Sequence, residues 1–129
     1  ALGHDSEFGP AHNNLGKVYF QQDRLYRAAK EFDYARRLMP KHPAPHNNLG
    51  LLHERSEEFD RAIEHYRRAV ELGPKRVEFK VNLARALIRR GDRTQEVRKL
   101  LEQILDEGEN ADWLMWAKRQ LATMREPGQ

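Results

Sequence analysis

Three asparagines, Asn14, Asn48 and Asn82, stand thirty-four residues apart. A carboxamide offers two N–H donors and an acceptor oxygen, so it can pair with a peptide backbone whatever that peptide's side chains are. Asparagine is also a mediocre helix former. Its return at one spacing therefore has two explanations: contact with a ligand backbone, or simple inheritance from a duplicated unit. Four cations, Lys17, Arg55, Arg85 and Arg89, keep step with the asparagines, against Glu54 and Glu78. Such a stripe would attract a weakly acidic peptide, or would merely be a solvated face.

The other chemistry-bearing residues point away from catalysis. Six histidines invite a metal reading, but His12 and His46 stand one period apart at packing positions, and His53 replaces Tyr19 in the same pattern. Packing explains all three. With no cysteine, thiol catalysis, disulfides and zinc–thiolate sites are excluded. No serine, histidine and carboxylate constellation, phosphate loop or paired-carboxylate motif emerges, so no cofactor is implied. Trp113 and Trp116 read as core and cap packing before they read as a stacking platform.

The elements that must position these side chains are short helices in tandem. His12-Asn13-Asn14-Leu15-Gly16 recurs as His46-Asn47-Asn48-Leu49-Gly50, and Ala28, Phe32, Ala35 and Pro40 recur as Ala62, Tyr66, Ala69 and Pro74. A fixed period of this length means stacked small units rather than one domain around a central site. His12, Leu15, Gly16 and Tyr19 mark the buried face of a helix over 11–22. Gln22-Asp23-Arg24 interrupts it, and a second helix over 25–38 runs to Pro40. The next period predicts helices over 44–55 and 59–72, stopped by Gly73-Pro74. The third is degraded: Leu83, Ala84 and Leu87 keep the pattern, with a one-residue insertion in the turn between Ala84 and Val97. Asn110 is a good N-cap for a seventh helix over 111–124, which would cover the last pair.

The phrase Leu-Gly-x-x-Tyr, then Ala-x-x-x-Phe-x-x-Ala and a closing Pro, resembles the tetratricopeptide repeat. The resemblance implies an all-α, right-handed superhelix of antiparallel helix pairs. The repeats would span 9–42, 43–76 and, degenerate, 77–109, followed by a capping helix over 110–124 and a tail over 125–129. Residues 1–8 match the end of a preceding repeat, since Ala1 and Ser6 fall one period before Ala35 and Pro40; a cloning remnant is the alternative. Gly16, Gly50 and Ala84 would let paired helices approach closely, with Ala28 and Ala62 opposite them.

In tetratricopeptide arrays the first helix of each pair lines a concave groove. The groove stripes would then be Pro10, Asn13, Asn14, Lys17 and Gln21; Ala44, Asn47, Asn48, Leu51 and Arg55; and Glu78, Val81, Asn82, Arg85 and Arg89. The asparagine ladder is similar to that lining the repeat superhelix of the O-linked N-acetylglucosamine transferases, where it implies a grip on peptide backbone. Domains that hold the C-terminal carboxylates of chaperones use Lys, Asn, Asn, Lys and Arg at positions that here carry Asn13, Lys17, Asn48, Glu78 and Asn82. Glu78 would repel a carboxylate, so that specificity is not expected.

Composition fits a recognition module. Residues are 33% charged, with 23 basic against 20 acidic mixed along the chain and a mean hydropathy of −0.92. That is a solvated surface, not the concentrated basic face of a nucleic-acid binder. No apolar run approaches the ~20 residues of a membrane span and no signal segment opens the chain. A soluble, cytoplasmic placement is the default. The expected function is non-catalytic binding of an extended peptide or partner protein in the groove. The rivals are a self-assembling scaffold, associating weakly through exposed repeat ends, and the accessory arm of a larger enzyme.

Overall fold

Each polar interruption in the periodicity separates two helices, and the computed structural model, which describes residues 8–124, contains seven of them. These are α1 (Gly9–Gln21), α2 (Leu25–Leu38), α3 (Pro43–Arg55), α4 (Phe59–Leu72), α5 (Val77–Arg90), α6 (Gln95–Glu107) and α7 (Ala111–Thr123). Expectations for residues 1–7 and 125–129 lie outside the described residues. α1 and α3 start slightly before the periodicity indicates, because Pro10 and Pro43 occupy their first positions. Proline's preset φ suits a first helical turn, where its missing N–H is not needed.

The turns explain the third period. Residues 22–24 and 56–58 carry Asp23 (φ 60°) and Glu57 (φ 58°) in the left-handed region. The third turn, 91–94, is one residue longer and uses Gly91 (φ 105°) instead. The insertion inferred between Ala84 and Val97 lies there. Thr94 then caps α6 by accepting from the Val97 N–H, and Asn110 caps α7 by accepting from the Trp113 N–H at 3.1 Å.

Within each pair the helices run antiparallel, and each pair packs on the next to form the right-handed superhelix, closed by α7 on α6. The crossings are as tight as the small residues require. A Cβ built on Gly16 would lie 2.5 Å from the Phe32 ring, and one on Gly50 would lie 2.4 Å from the Tyr66 ring. Ala28, Ala62 and Ala84 are fully buried. The larger core cluster runs from Ala62 through Tyr66, Leu87 and Leu101 to Ala117, with Trp113 and Trp116 partly buried against it. A smaller one joins Ala28 and Phe32 to Leu49 and Leu52.

One packing expectation is corrected. The periodicity puts Leu15 on the buried face of α1, yet it is 41% exposed, and Val18 is 46% exposed; their counterparts Leu49 and Leu52 are each 5% exposed. The difference is positional: α2 covers the corresponding face of α3, whereas no helix pair among the described residues packs ahead of α1.

His12, His46, His53 and His65 pack between the helices of a pair. His12 Nδ1 lies 2.7 Å from Glu31 Oε1, and its ring stacks on Tyr34. At the same register one repeat later, His46 Nδ1 lies 3.3 Å from His65 Nδ1, and His53 stacks on His65 with centroids 5.5 Å apart. Burial, reinforced by His46 and His53, pushes the His65 imidazole down to about 4. Burial also lowers His46, helped by Arg36 and Arg68.

Two measurements test this packing. Gly50→Ala forces the Tyr66 ring out of a filled core and is expected to cost roughly 1–3 kcal/mol in urea denaturation. Gly50→Leu should cost more, and unchanged midpoints would mean the crossing is not close-packed. The second is stability against pH. His46 and His65 bind protons less readily folded than unfolded, so their contribution is present above about pH 6.5 and is lost as the pH falls toward 4. The shift bounds the loss from His65 near 3 kcal/mol, and solvent screening reduces it to about 1–2 kcal/mol. His65→Phe should flatten the pH dependence between 6.5 and 5; an equally steep profile in that variant would locate the titration elsewhere.

Candidate functional site

α1, α3 and α5 are the first helices of their pairs and lie side by side, so residues one period apart fall along one surface. On that surface the asparagines bond to one another, offset by one position. Asn48 Nδ2 donates to Asn13 Oδ1 at 2.9 Å, and Asn82 Nδ2 donates to Asn47 Oδ1 at 2.8 Å. Asn47 and Asn82 are buried, Asn13 and Asn48 half-buried, and Asn14 is exposed. These amide bonds tie each first helix to the next. Each uses one N–H of the donating amide, which leaves Asn48 a second N–H and a carbonyl.

The cations separate into two groups. Lys17 is exposed and makes no ion pair among the described residues. Arg55 lies over the Phe20 ring at 5.2 Å and 3.4 Å from the exposed Asp23 carboxylate, a pair worth little in water. Arg85 and Arg89 are organised by one acid. Arg85 Nε and Nη2 each donate to Glu54 at 2.8 Å, and Arg89 Nη1 donates to it at 3.0 Å. Tyr66 donates its hydroxyl to the same carboxylate at 2.7 Å. Burial alone would raise the Glu54 carboxyl, but the hydrogen bonds from Arg85 and Tyr66 outweigh it and hold it at about 2. Tyr66 is raised in turn, by burial and by Glu54.

The remaining stripe residues divide by burial. Pro10 and Gln21 are exposed, Ala44 and Leu51 half-buried, and Val81 buried. Leu51 packs against the larger core cluster. Glu78 accepts from Arg76 at 3.1 Å. From the sequence Glu54 reads only as a charge opposing the basic stripe, and the Tyr66 hydroxyl has no evident role. A signal was present in the register: Glu54 occupies the position of Phe20 and Ile88, and Tyr66 that of Phe32. A carboxylate and a hydroxyl therefore arrive together where the first repeat is apolar.

The internal bonds make the asparagines unequal in their effect on stability. Asn82→Ala strands the buried Asn47 carbonyl oxygen and should cost roughly 1–3 kcal/mol. Asn14→Ala, at an exposed helical position, should be neutral or slightly stabilising. Matching urea midpoints for the two variants would show that the amide bonds contribute nothing in solution.

Comparison with known proteins agrees with this architecture. Two family models, both described as tetratricopeptide repeat, match residues 7–75 and 47–112. Among solved structures, the first tetratricopeptide domain of Spaghetti, bound to the HSP90 peptide SRMEEVD, superposes with a TM-score of 0.78 at 20% identity, covering 91% of this chain and 95% of that one. The N-terminal domain of stress-induced protein-1 from C. elegans gives 0.76 at 17% identity, covering 88% and 94%. YrrB, a tetratricopeptide protein with an unusual peptide-binding site, gives 0.83 at 16%, covering 95% of this chain and 61% of its own. Comparison with curated proteins finds no match. With its thirty-four-residue helix pairs, close glycine crossings and matching family models, the chain belongs to the tetratricopeptide-repeat family.

Proposed function

We propose that this chain is a non-catalytic protein-interaction module that binds an extended, acidic segment of a partner along α1, α3 and α5. The observation that carries the proposal is the set of polar groups left over on α1 and α3, beside the partly exposed Arg85 and Arg89 of α5. The Asn14 amide, the Lys17 ammonium and Gln21 face solvent on α1. Asn48 keeps one N–H and its carbonyl oxygen, and Arg55, lying over the Phe20 ring, has Asp23 as its exposed ion partner. Amides can pair with peptide N–H and C=O groups, while the cations attract side-chain carboxylates. The peptide held by Spaghetti supports a peptide partner by likeness of fold. A C-terminal carboxylate held in the chaperone manner is disfavoured, because Glu78 and the buried Asn82 stand where that mode needs cations.

The test begins with selection of ligands from a peptide array on the intact chain. Acidic extended sequences should be enriched. Against the best of them, Asn14→Ala should cost about 0.5–1.5 kcal/mol of binding, one neutral hydrogen bond. Lys17→Ala with Arg55→Ala should weaken binding about two- to tenfold at low salt and little at high salt. Selected peptides bound equally by wild type and by a variant combining Asn14→Ala, Lys17→Ala and Arg55→Ala, with the helical circular dichroism unchanged, would move the binding surface away from these helices.

A further inference from the structure

The junction between the second and third repeats breaks the rule that the rest of the array follows. At the equivalent junction of the first repeat, Phe20 and Phe32 are apolar, and Arg55 lies over the Phe20 ring. At the second, those positions are Glu54 and Tyr66, fully or nearly buried, and their polar atoms face each other at 2.7 Å. Burying a carboxylate costs desolvation that a phenylalanine does not incur, and a buried ion network is often no more stable than its apolar counterpart. Stability alone therefore gives no reason for the exchange. Its geometric consequence is specific. Glu54 grips the Arg85 guanidinium through two donors and Arg89 through one, and both cations remain partly exposed, at 35% and 43% of their side chains. One negative charge against two positive leaves a net charge of +1. Arg85 keeps its Nη1 donors and Arg89 its Nε and Nη2 donors beyond those spent on Glu54.

We infer that Glu54, braced by Tyr66, is a positioning residue that presents Arg85 and Arg89 as a preformed receptor for a single ligand carboxylate, the acidic side chain of the partner segment proposed above. The inference rests on that groove assignment and makes it specific. Two guanidiniums already held by one carboxylate lose little side-chain entropy when an acid docks, whereas the exposed Lys17 must be ordered on binding. The receptor therefore selects for a carboxylate at one position of the peptide, while the other cations respond to overall charge.

The experiment transplants the first repeat's own solution. Glu54→Phe with Tyr66→Phe keeps the site filled, raises the groove's positive charge by one and removes the brace. Binding of two labelled ten-residue probes, alternating Ser-Glu and alternating Ser-Gln, is measured by fluorescence anisotropy on wild type and variant. Wild type should prefer the Ser-Glu peptide, and the variant should lose about tenfold of that preference despite its greater positive charge. If the guanidiniums act only through their charge, the variant will bind Ser-Glu as tightly or more tightly, and the receptor is overturned. Should the double variant lose its helical circular dichroism, Glu54→Gln carries the same comparison. Wild type binding both peptides equally would overturn the receptor but leave a neutral peptide groove; wild type binding neither would remove the groove assignment itself.

Discussion

The approach of an aromatic ring to a glycine backbone, Phe32 on Gly16 and Tyr66 on Gly50, is the contact on which the other features depend. It lets the two helices of a pair close to a distance that no side chain at those glycines would permit. Each pair then has the shape that stacks on the next, and α1, α3 and α5 come to lie along one side. Tyr66 also carries the crossing into the site: its ring covers Gly50 while its hydroxyl reaches Glu54. A packing residue thus fixes the carboxylate that holds Arg85 and Arg89.

The polar bonds between repeats serve two different ends. Asn48 to Asn13 and Asn82 to Asn47 satisfy half-buried and buried amides, so they lock the register of neighbouring first helices. A slipped register would leave buried carbonyls unpaired, at a cost comparable to a lost hydrogen bond. The Glu54 network is electrostatic and sits at one junction. Between them these bonds tie α1, α3 and α5 together, while Lys17 on α1 stays exposed. Peptide-binding surfaces gain affinity where donors are preorganised and adaptability where they are not.

Duplication also left pairs that share a register but not a chemistry. His12 meets Glu31, while His46 meets His65. The second pairing disfavours the charged forms, first because both rings are desolvated by burial and then because of the neighbouring imidazoles, Arg36 and Arg68. Acid therefore acts on the second repeat through His46 and His65, and the array is not uniform along its length.

Much of this was legible in the residues alone. The thirty-four-residue period specified helix pairs, because apolar side chains at three- and four-residue intervals can be buried on only one face of a helix. Gly16 and Gly50 announced close crossings, Asn110 announced a cap, and counting from Ala84 to Val97 located the extra turn residue that Gly91 accommodates. Partnership was not legible. Asn14, Asn48 and Asn82 look identical in the sequence, yet one is exposed and another buried, because burial depends on whether a neighbouring pair covers the helix. For the same reason Leu15 is exposed while Leu49 is not. Arg85 and Glu54 are thirty-one residues apart, and only the stacking of α3 against α5 brings a guanidinium within 2.8 Å of that carboxylate. Periodicity reports which face of a helix is apolar; which polar groups meet across two helices is decided by rotation and offset between them, which the folded structure alone sets.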